Sequence, residues 1–142
     1  MNFSLWSHLN ADRVLEKKAL LGEIKSILGS IEPDKAVHDH IRDSFKDKGW
    51  MAEKYIFENT RWAWDAYKDK VAISIEFSLI DAIQRDLLRG ILAYEKGSLD
   101  VLVFLLDFKI SEPHFTNVKN QIEIFSSILK YPILLVGIDR IQ

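Results

Sequence analysis

The chain contains no cysteine among its 142 residues. Disulfides, thiolate zinc sites and cysteine nucleophiles are therefore excluded. The absence agrees with a reducing compartment. Long apolar runs are also missing. The longest, Val101–Leu106 and Pro132–Ile138, are too short to cross a bilayer. The N-terminal Met-Asn-Phe-Ser-Leu-Trp-Ser-His places no basic region before an apolar run, so no secretory signal is read there. There is no low-complexity tract, no internal repeat and no dividing linker. No loop of the form G-x-x-x-x-G-K-[ST] is present, which leaves ATP-driven function without support. An excess of charge of one sign is lacking too. The net charge of -2 gives no global basic field to advertise a nucleic-acid partner. Carboxylates of a site can, however, offset local lysines and arginines in that total. What the chain does have is apolar bulk: 48% hydrophobic residues, with four Trp, four Tyr and eight Phe, enough for one core. The expectation is a single domain over residues 1–142, soluble and cytoplasmic, with no membrane partner.

Hydrophobic spacing sets the element order. Residues from about Ala11 to Ile31 carry a helical stripe of Val14, Leu15, Leu20, Leu21, Ile24, Ile27 and Leu28, punctuated by Gly29 and Pro33. A second helix begins near Pro33-Asp34. It places Val37, Ile41 and Phe45 at four-residue steps and closes at Lys46, Lys48 and Gly49. The period then shortens. Trp50 to Phe57 reads as a first strand, Thr60 to Tyr67 as a second, and Lys70 to Ser78 as a third after a turn at Lys68-Asp69. Asp81 to about Lys96 is a helix with Ile83, Leu87, Ile91 and Tyr94 on one face. Val101–Leu106 is a strand covered on both sides, and Ser111–His114 a loop. Thr116 to Lys130 is a helix with Val118, Ile122, Phe125 and Leu129 inward, and Pro132–Ile138 a last buried strand. The order α-α-β-β-β-α-β-α-β predicts an α/β fold, with a mixed five-stranded sheet flanked by helices.

The chemistry concentrates in Asp65-Ala-Tyr-Lys-Asp-Lys-Val-Ala-Ile-Ser74-Ile-Glu76-Phe-Ser78. On its last strand, parity puts Val71, Ile73, Ile75 and Phe77 on a core face. Ala72, Ser74, Glu76 and Ser78 go to a face bordering a cleft or solvent. Phosphodiester hydrolysis at neutral pH needs a cation to polarise the phosphate and acidify a water. Magnesium takes oxygen ligands, commonly one or two carboxylates plus waters and substrate phosphate. Two adjacent strands can deliver them, with an acid on one and acids at i and i+2 on the next. Asp65 and the face Ser74, Glu76, Ser78 have this layout. A shifted register, with Asp65 or Asp69 first, Glu76 second and Ser78 third, is also open. Asp69 has a sufficient explanation as a turn residue, which favours Asp65.

The layout resembles the PD-(D/E)XK nuclease superfamily, and within it the BglII, BstYI and BamHI group of type II restriction endonucleases. In BglII-like members an Asp is followed nine positions later by a Glu, then two later by a Gln. Counting from Asp65 gives Ser74 and Glu76 without a gap. Phe77-Ser78, Arg85-Asp86-Leu87, Lys96-Gly97-Ser98-Leu99-Asp100-Val101, the opening Ser7-His8-Leu9-Asn10 and the closing Pro132-Ile-Leu-Leu-Val-Gly137 are similar to that group as well. The resemblance implies a nuclease acting on double-stranded DNA as a homodimer. Asp65 and Glu76 would bind Mg2+ or Mn2+, and Asp65, Ser74 and Glu76 would stand at the catalytic positions. Ser74 is the departure, a neutral hydroxyl where the group has a metal-binding carboxylate. Three accounts are open. The chain is a degenerate nuclease that binds DNA without cutting or serves as an interaction module. It is an inactivated variant. Or Asp65 and Glu76 suffice, with Ser74 or a water completing the shell.

Lys68, Lys70, Arg85 and Arg89 are candidates for phosphate contact, against the plainer reading of surface charge. Arg85 and Arg89 share a helix face. Glu16 and Glu23 read as exposed helix charge. His38 and His40 are two apart on a helix, so they point to different sides and form no metal pair, while His8 and His114 are isolated. Trp62 and Trp64 are expected to pack on the core, with base stacking the sharper alternative.

Overall fold

Unbroken apolar runs become inner strands here, and segments that alternate or carry acids become the hairpins outside them. In the computed structural model, residues 1–77, 80–108 and 114–140 are described. Chain order is β1 (Phe3–His8), α1 (Ala11–Lys17), α2 (Leu21–Ser30), a 3-10 turn (Pro33–Lys35), α3 (His38–Asp47), β2 (Met51–Tyr55), β3 (Ala63–Lys68), β4 (Val71–Glu76), α4 (Ile80–Glu95), β5 (Val101–Asp107), α5 (His114–Ile124) and β6 (Ile133–Ile138). The strands form one six-stranded mixed sheet in the order β1-β6-β5-β4-β3-β2. Strand β5 runs parallel to β4 and β6, and the other pairings are antiparallel.

Two cores flank the sheet. One joins Leu15, Ile24, Leu28, Ile41 and Phe45 of α1–α3 to Val71, Ile73, Ile75, Val103 and Val136. The other joins Ile83 and Leu87 of α4 and Val118 and Ile122 of α5 to Trp64, Ala72, Phe104, Leu106 and Leu135. Every residue of β5 and β6 is buried, as a parallel strand covered by helices on both faces requires. Among the described residues, no helix is long and apolar enough to cross a membrane.

Several expectations change. The sheet has six strands rather than five, because Phe3–His8 adds to β6 as an edge. Ser4 and Ser7 put a polar residue on each face of that strand and break its alternation. The first helix is two. Ala19 takes a left-handed φ of 58°, and the chain re-enters a helix at Leu21. The second helix begins at His38, after the 3-10 turn, and leaves Val37 53% exposed. The three hairpin strands are shorter than expected, and the turn between β3 and β4 is Asp69-Lys70, both at positive φ, as a tight two-residue hairpin demands. Helix α5 ends at Ile124, so Phe125 is half exposed, whereas Leu129 is buried. On α4, Tyr94 is exposed and Ala93 is buried in its place. Ser78 and Ser111–Pro113 lie outside the described residues.

One expectation about β4 changes in a way that matters for the site. The face carrying Ala72 and Ser74 is not open. Both are buried, because α4 folds back over them, and among the described residues of that face only Glu76 keeps partial access to water.

Candidate active site

The ladder between β3 and β4 pairs Lys68 with Val71, Tyr67 with Ala72 and Ala66 with Ile73. At the next position it gives way to a side chain. The Ile75 amide donates to Asp65 Oδ2 at 2.7 Å, in place of a strand carbonyl. The parity of β3 turns over at the same point. Trp64 packs in the α4/α5 core, whereas Ala66 packs in the core beneath α1–α3. The strands splay there, beside the carboxyl end of β4, where open α/β sheets place their ligands.

The splay opens a cleft of about 290 Å³, lined by His38, Ala63, Asp65, Ser74, Ile75, Glu76, Phe77, Ala82, Arg85, Asp86 and Arg89. The fold thus brings together five residues singled out from the sequence: Asp65, Ser74, Glu76, Arg85 and Arg89. Lys68 and Lys70 do not line it. Lys68 donates to both carboxylate oxygens of Glu23, at 3.0 and 3.3 Å, and Lys70 sits in the hairpin turn. Glu23 also accepts from Trp50 Nε1, so its role is to tie α2 to the hairpin.

Two further residues join the cleft without having been chosen from the sequence. His38, the first residue of α3, brings Nε2 to 2.9 Å from Asp65 Oδ1. This contact raises the imidazole above its ordinary value, against the opposing pull of burial. No local signal links residues 38 and 65. Asp86, on α4, is only 8% exposed and accepts a hydrogen bond from Ser74 Oγ at 2.6 Å. It did have a signal: an acid set between Ile83, Leu87 and Gly90 on the inward stripe of an amphipathic helix.

Three carboxylates therefore share a small, partly dry space. Burial, then the neighbouring Asp86 and Asp65 charges, push the Glu76 carboxyl up from 4.5 to about 7. Burial raises Asp86 as well. A raised folded value means that the folded state prefers the protonated form. That preference is fully present below pH 4.5 and is lost as pH rises through about 7. A shift of this size is worth about 3 kcal/mol for a wholly buried group. Solvent screening at partly exposed Glu76 reduces it to about 1 kcal/mol. Glu76→Gln is thus expected to raise the unfolding midpoint at pH 8 in chelator by ~2–4 °C and to change little at pH 4, read by thermal melts at both values.

The donor set suits a hard cation. Among the described residues, no three His, Cys, Asp or Glu side chains are grouped closely enough to hold a metal by themselves. Magnesium does not ask for that. One or two carboxylates, with water and substrate, complete its shell. Asp65 and Glu76 meet this requirement, and a cation between them would relieve the charge crowding that raises Glu76.

Beside the cleft runs a groove with Arg42, Arg61, Trp62 and Arg89 in its wall. The Arg89 guanidinium lies 4.3 Å over the Trp62 ring. Trp62 is 42% exposed rather than packed in the core, whereas Trp64 is buried. Arg42 is engaged by Glu53 at 3.1 Å.

The chain matches the family described as Restriction endonuclease BglII/BglIII over residues 3–138. A crystal structure of restriction endonuclease BglII complexed with a DNA 16-mer has the same fold. Its TM-score is 0.81 at 17% identity, covering 96% of this chain and 78% of that one. No curated protein sequence matches. With the family match extending over nearly its whole length, the chain belongs to the BglII/BglIII restriction endonuclease family.

Proposed function

We propose that the protein is a metal-dependent endonuclease of the type II restriction class, hydrolysing phosphodiester bonds of double-stranded DNA. The observation that carries this reading is the meeting of Asp65 and Glu76 in one cleft beside Arg85 and Arg89, on a chain of this family. Asp65 and Glu76 would hold Mg2+ or Mn2+. When bound, the cation supplies polarisation of the phosphate and acidification of a water. The chain's own groups do the rest. Asp65 is held in place through Oδ2 by the Ile75 amide, which leaves Oδ1 directed at His38 and the cleft. Exposed Arg85 is placed to take a phosphate oxygen, and the Arg89 guanidinium is steadied against Trp62. The DNA bound to the BglII neighbour supports the choice of substrate.

Neutral Ser74 favours a second reading, in which the scaffold binds DNA without cutting it. Incubation of supercoiled plasmid with Mg2+ or Mn2+, and with EDTA as control, separates the two. The nuclease reading expects nicked or linear product with metal and none with EDTA. Intact plasmid accompanied by a gel shift favours the second reading, and neither effect removes both.

The reading includes a homodimer, since a two-fold protein suits a two-fold site. Leu88, Leu92, Phe125 and Ile128, each about half exposed, lie on α4 and just beyond α5 and provide an apolar strip for a second copy. Leu88→Glu with Phe125→Glu is expected to shift the mass in light scattering from two chains to one. An unchanged mass would remove that strip as the interface.

A further inference from the structure

We propose that the loop of residues 56–62, between β2 and β3, is a clamp for the DNA backbone, in which Arg61 takes a phosphate flanking the one in the cleft. The proposal rests on the nuclease reading above and extends it from the cleft to the groove beside it. That groove, of about 500 Å³, is continuous with the cleft, since His38, Ala63, Asp65 and Arg89 line both. A DNA strand carries a phosphate about every 3.4 Å along the helix axis. A strand with one phosphate in the cleft brings a neighbouring phosphate to the adjoining groove.

The charges of the groove leave one cation uncompensated. Arg42 is met by Glu53 at 3.1 Å, by Asp39 at 3.5 Å and by Asp43 at 3.9 Å. Asp65 faces His38. Arg89 is shared between Asp86 and the Trp62 ring. Arg61 is exposed and, among the described residues, has no acidic partner. A surface arginine alone would mean little. This one is carried by a loop that is fixed on both sides of it. The Ile56 amide donates to the Trp62 carbonyl at 2.7 Å and closes the loop. The Trp62 amide donates to Thr60 Oγ1, and the Thr60 hydroxyl donates to the Phe57 carbonyl, each at 3.3 Å. The Trp62 ring meets Phe57 edge-on, with centroids 5.9 Å apart, and its contact with the Arg89 guanidinium docks the loop on α4. With the backbone already ordered, a phosphate contact costs only the freedom of the arginine side chain. A planar guanidinium can take two phosphate oxygens at once.

The full chain is titrated against a fluorescently labelled duplex of arbitrary sequence, in EDTA, across a salt series, with anisotropy as the signal. Steady-state cleavage of plasmid with Mg2+ or Mn2+ is read alongside. Arg61→Ala is expected to raise Kd about tenfold. It is also expected to flatten the slope of log Kd against log salt by about 0.9, the signature of one lost phosphate contact. KM is expected to rise likewise, with kcat within about twofold of the parent's. Arg61→Lys keeps the charge and is expected to keep the slope, losing no more than about threefold in affinity. Lys130→Ala removes an exposed cation before β6, at the opposite end of the parallel strands, and is expected to leave Kd and slope as in the parent. Arg61→Ala with the parent's Kd and slope, in a protein that binds and cuts DNA, overturns the clamp and leaves the nuclease reading standing. A loss matched by Lys130→Ala also overturns the clamp, because the effect is then one of general charge. A parent that binds without cutting removes the nuclease reading, and the Kd and slope of Arg61→Ala then decide the clamp. A parent that neither binds the duplex nor cuts overturns both.

Discussion

Replacing Asp65 with alanine is expected to lower plasmid cleavage by about a thousandfold and also to destabilise the fold. Loss of one preorganised electrostatic group at a reacting centre typically costs 10² to 10³ in rate. Asp65 does more than that, because one oxygen is also structural. Alanine would leave the Ile75 amide without its 2.7 Å acceptor at the point where the β3–β4 ladder splays. An unsatisfied part-buried amide costs roughly 1–3 kcal/mol. His38 would lose its partner as well. Asparagine separates the two roles. Its carbonyl oxygen still accepts from Ile75 while the charge is gone. Asp65→Asn is therefore expected to lose cleavage nearly as far as the alanine variant and to melt within a few degrees of the parent. Rates from a plasmid time course and melts by circular dichroism read both. Equal cleavage by Asp65→Asn and the parent would remove Asp65 from the catalytic set.

A second large effect is expected far from the acids. Gly90 lies on α4, one helical turn beyond Asp86, and a β-carbon there would overlap the Tyr131 phenol. Tyr131 has no room to move aside. It is 1% exposed, and its hydroxyl donates to the Leu87 carbonyl at 2.7 Å. Burial holds that hydroxyl well above its ordinary pKa, so it stays protonated and bonded. Alanine is a better helix former than glycine by ~1 kcal/mol. Overpacking a buried contact costs roughly 1–3 kcal/mol, and here the methyl meets a ring that is itself tethered. Gly90→Ala is expected to be destabilised by about 2 kcal/mol, which lowers the melting temperature by ~4–8 °C. The helix must shift to admit the methyl, and Asp86 and Arg89 shift with it. Cleavage is expected to fall at least tenfold at temperatures where the variant is still folded. A variant that melts with the parent would show that the ring can relax, contrary to the packing described.

The two inner parallel strands and the amphipathic helices were legible in the sequence because burial on both faces, or on one stripe, leaves a direct trace in hydrophobic spacing. Phe3–His8 was not legible as a strand. Its serines break the alternation, and its pairing with β6 is made with residues more than a hundred positions away. The division of α1 from α2 rests on one left-handed residue, Ala19, whose side chain gives no hint of it. The placement of Asp65 beside Glu76 in one cleft was legible because strand parity and spacing act locally. The burial of Ser74 was missed, because parity gives the two faces of β4 but not what packs on them. Helix α4 covers the second face and carries in Asp86, and His38 arrives from α3 across 27 positions of chain. Lys68 looked as available as the arginines until the fold set it against Glu23.

The central claim is that the cleft at the carboxyl end of β4 holds the cation that supports DNA cleavage. Anomalous scattering from crystals soaked in Mn2+ tests it most directly. The expected result is a single strong peak in the cleft, at ligand distance (roughly 2.0–2.2 Å) from carboxylate oxygens of Asp65 and Glu76, and lost in Asp65→Asn crystals. A Mn2+-dependent cleavage activity with no peak between Asp65 and Glu76, or with the peak elsewhere on the protein, would contradict it.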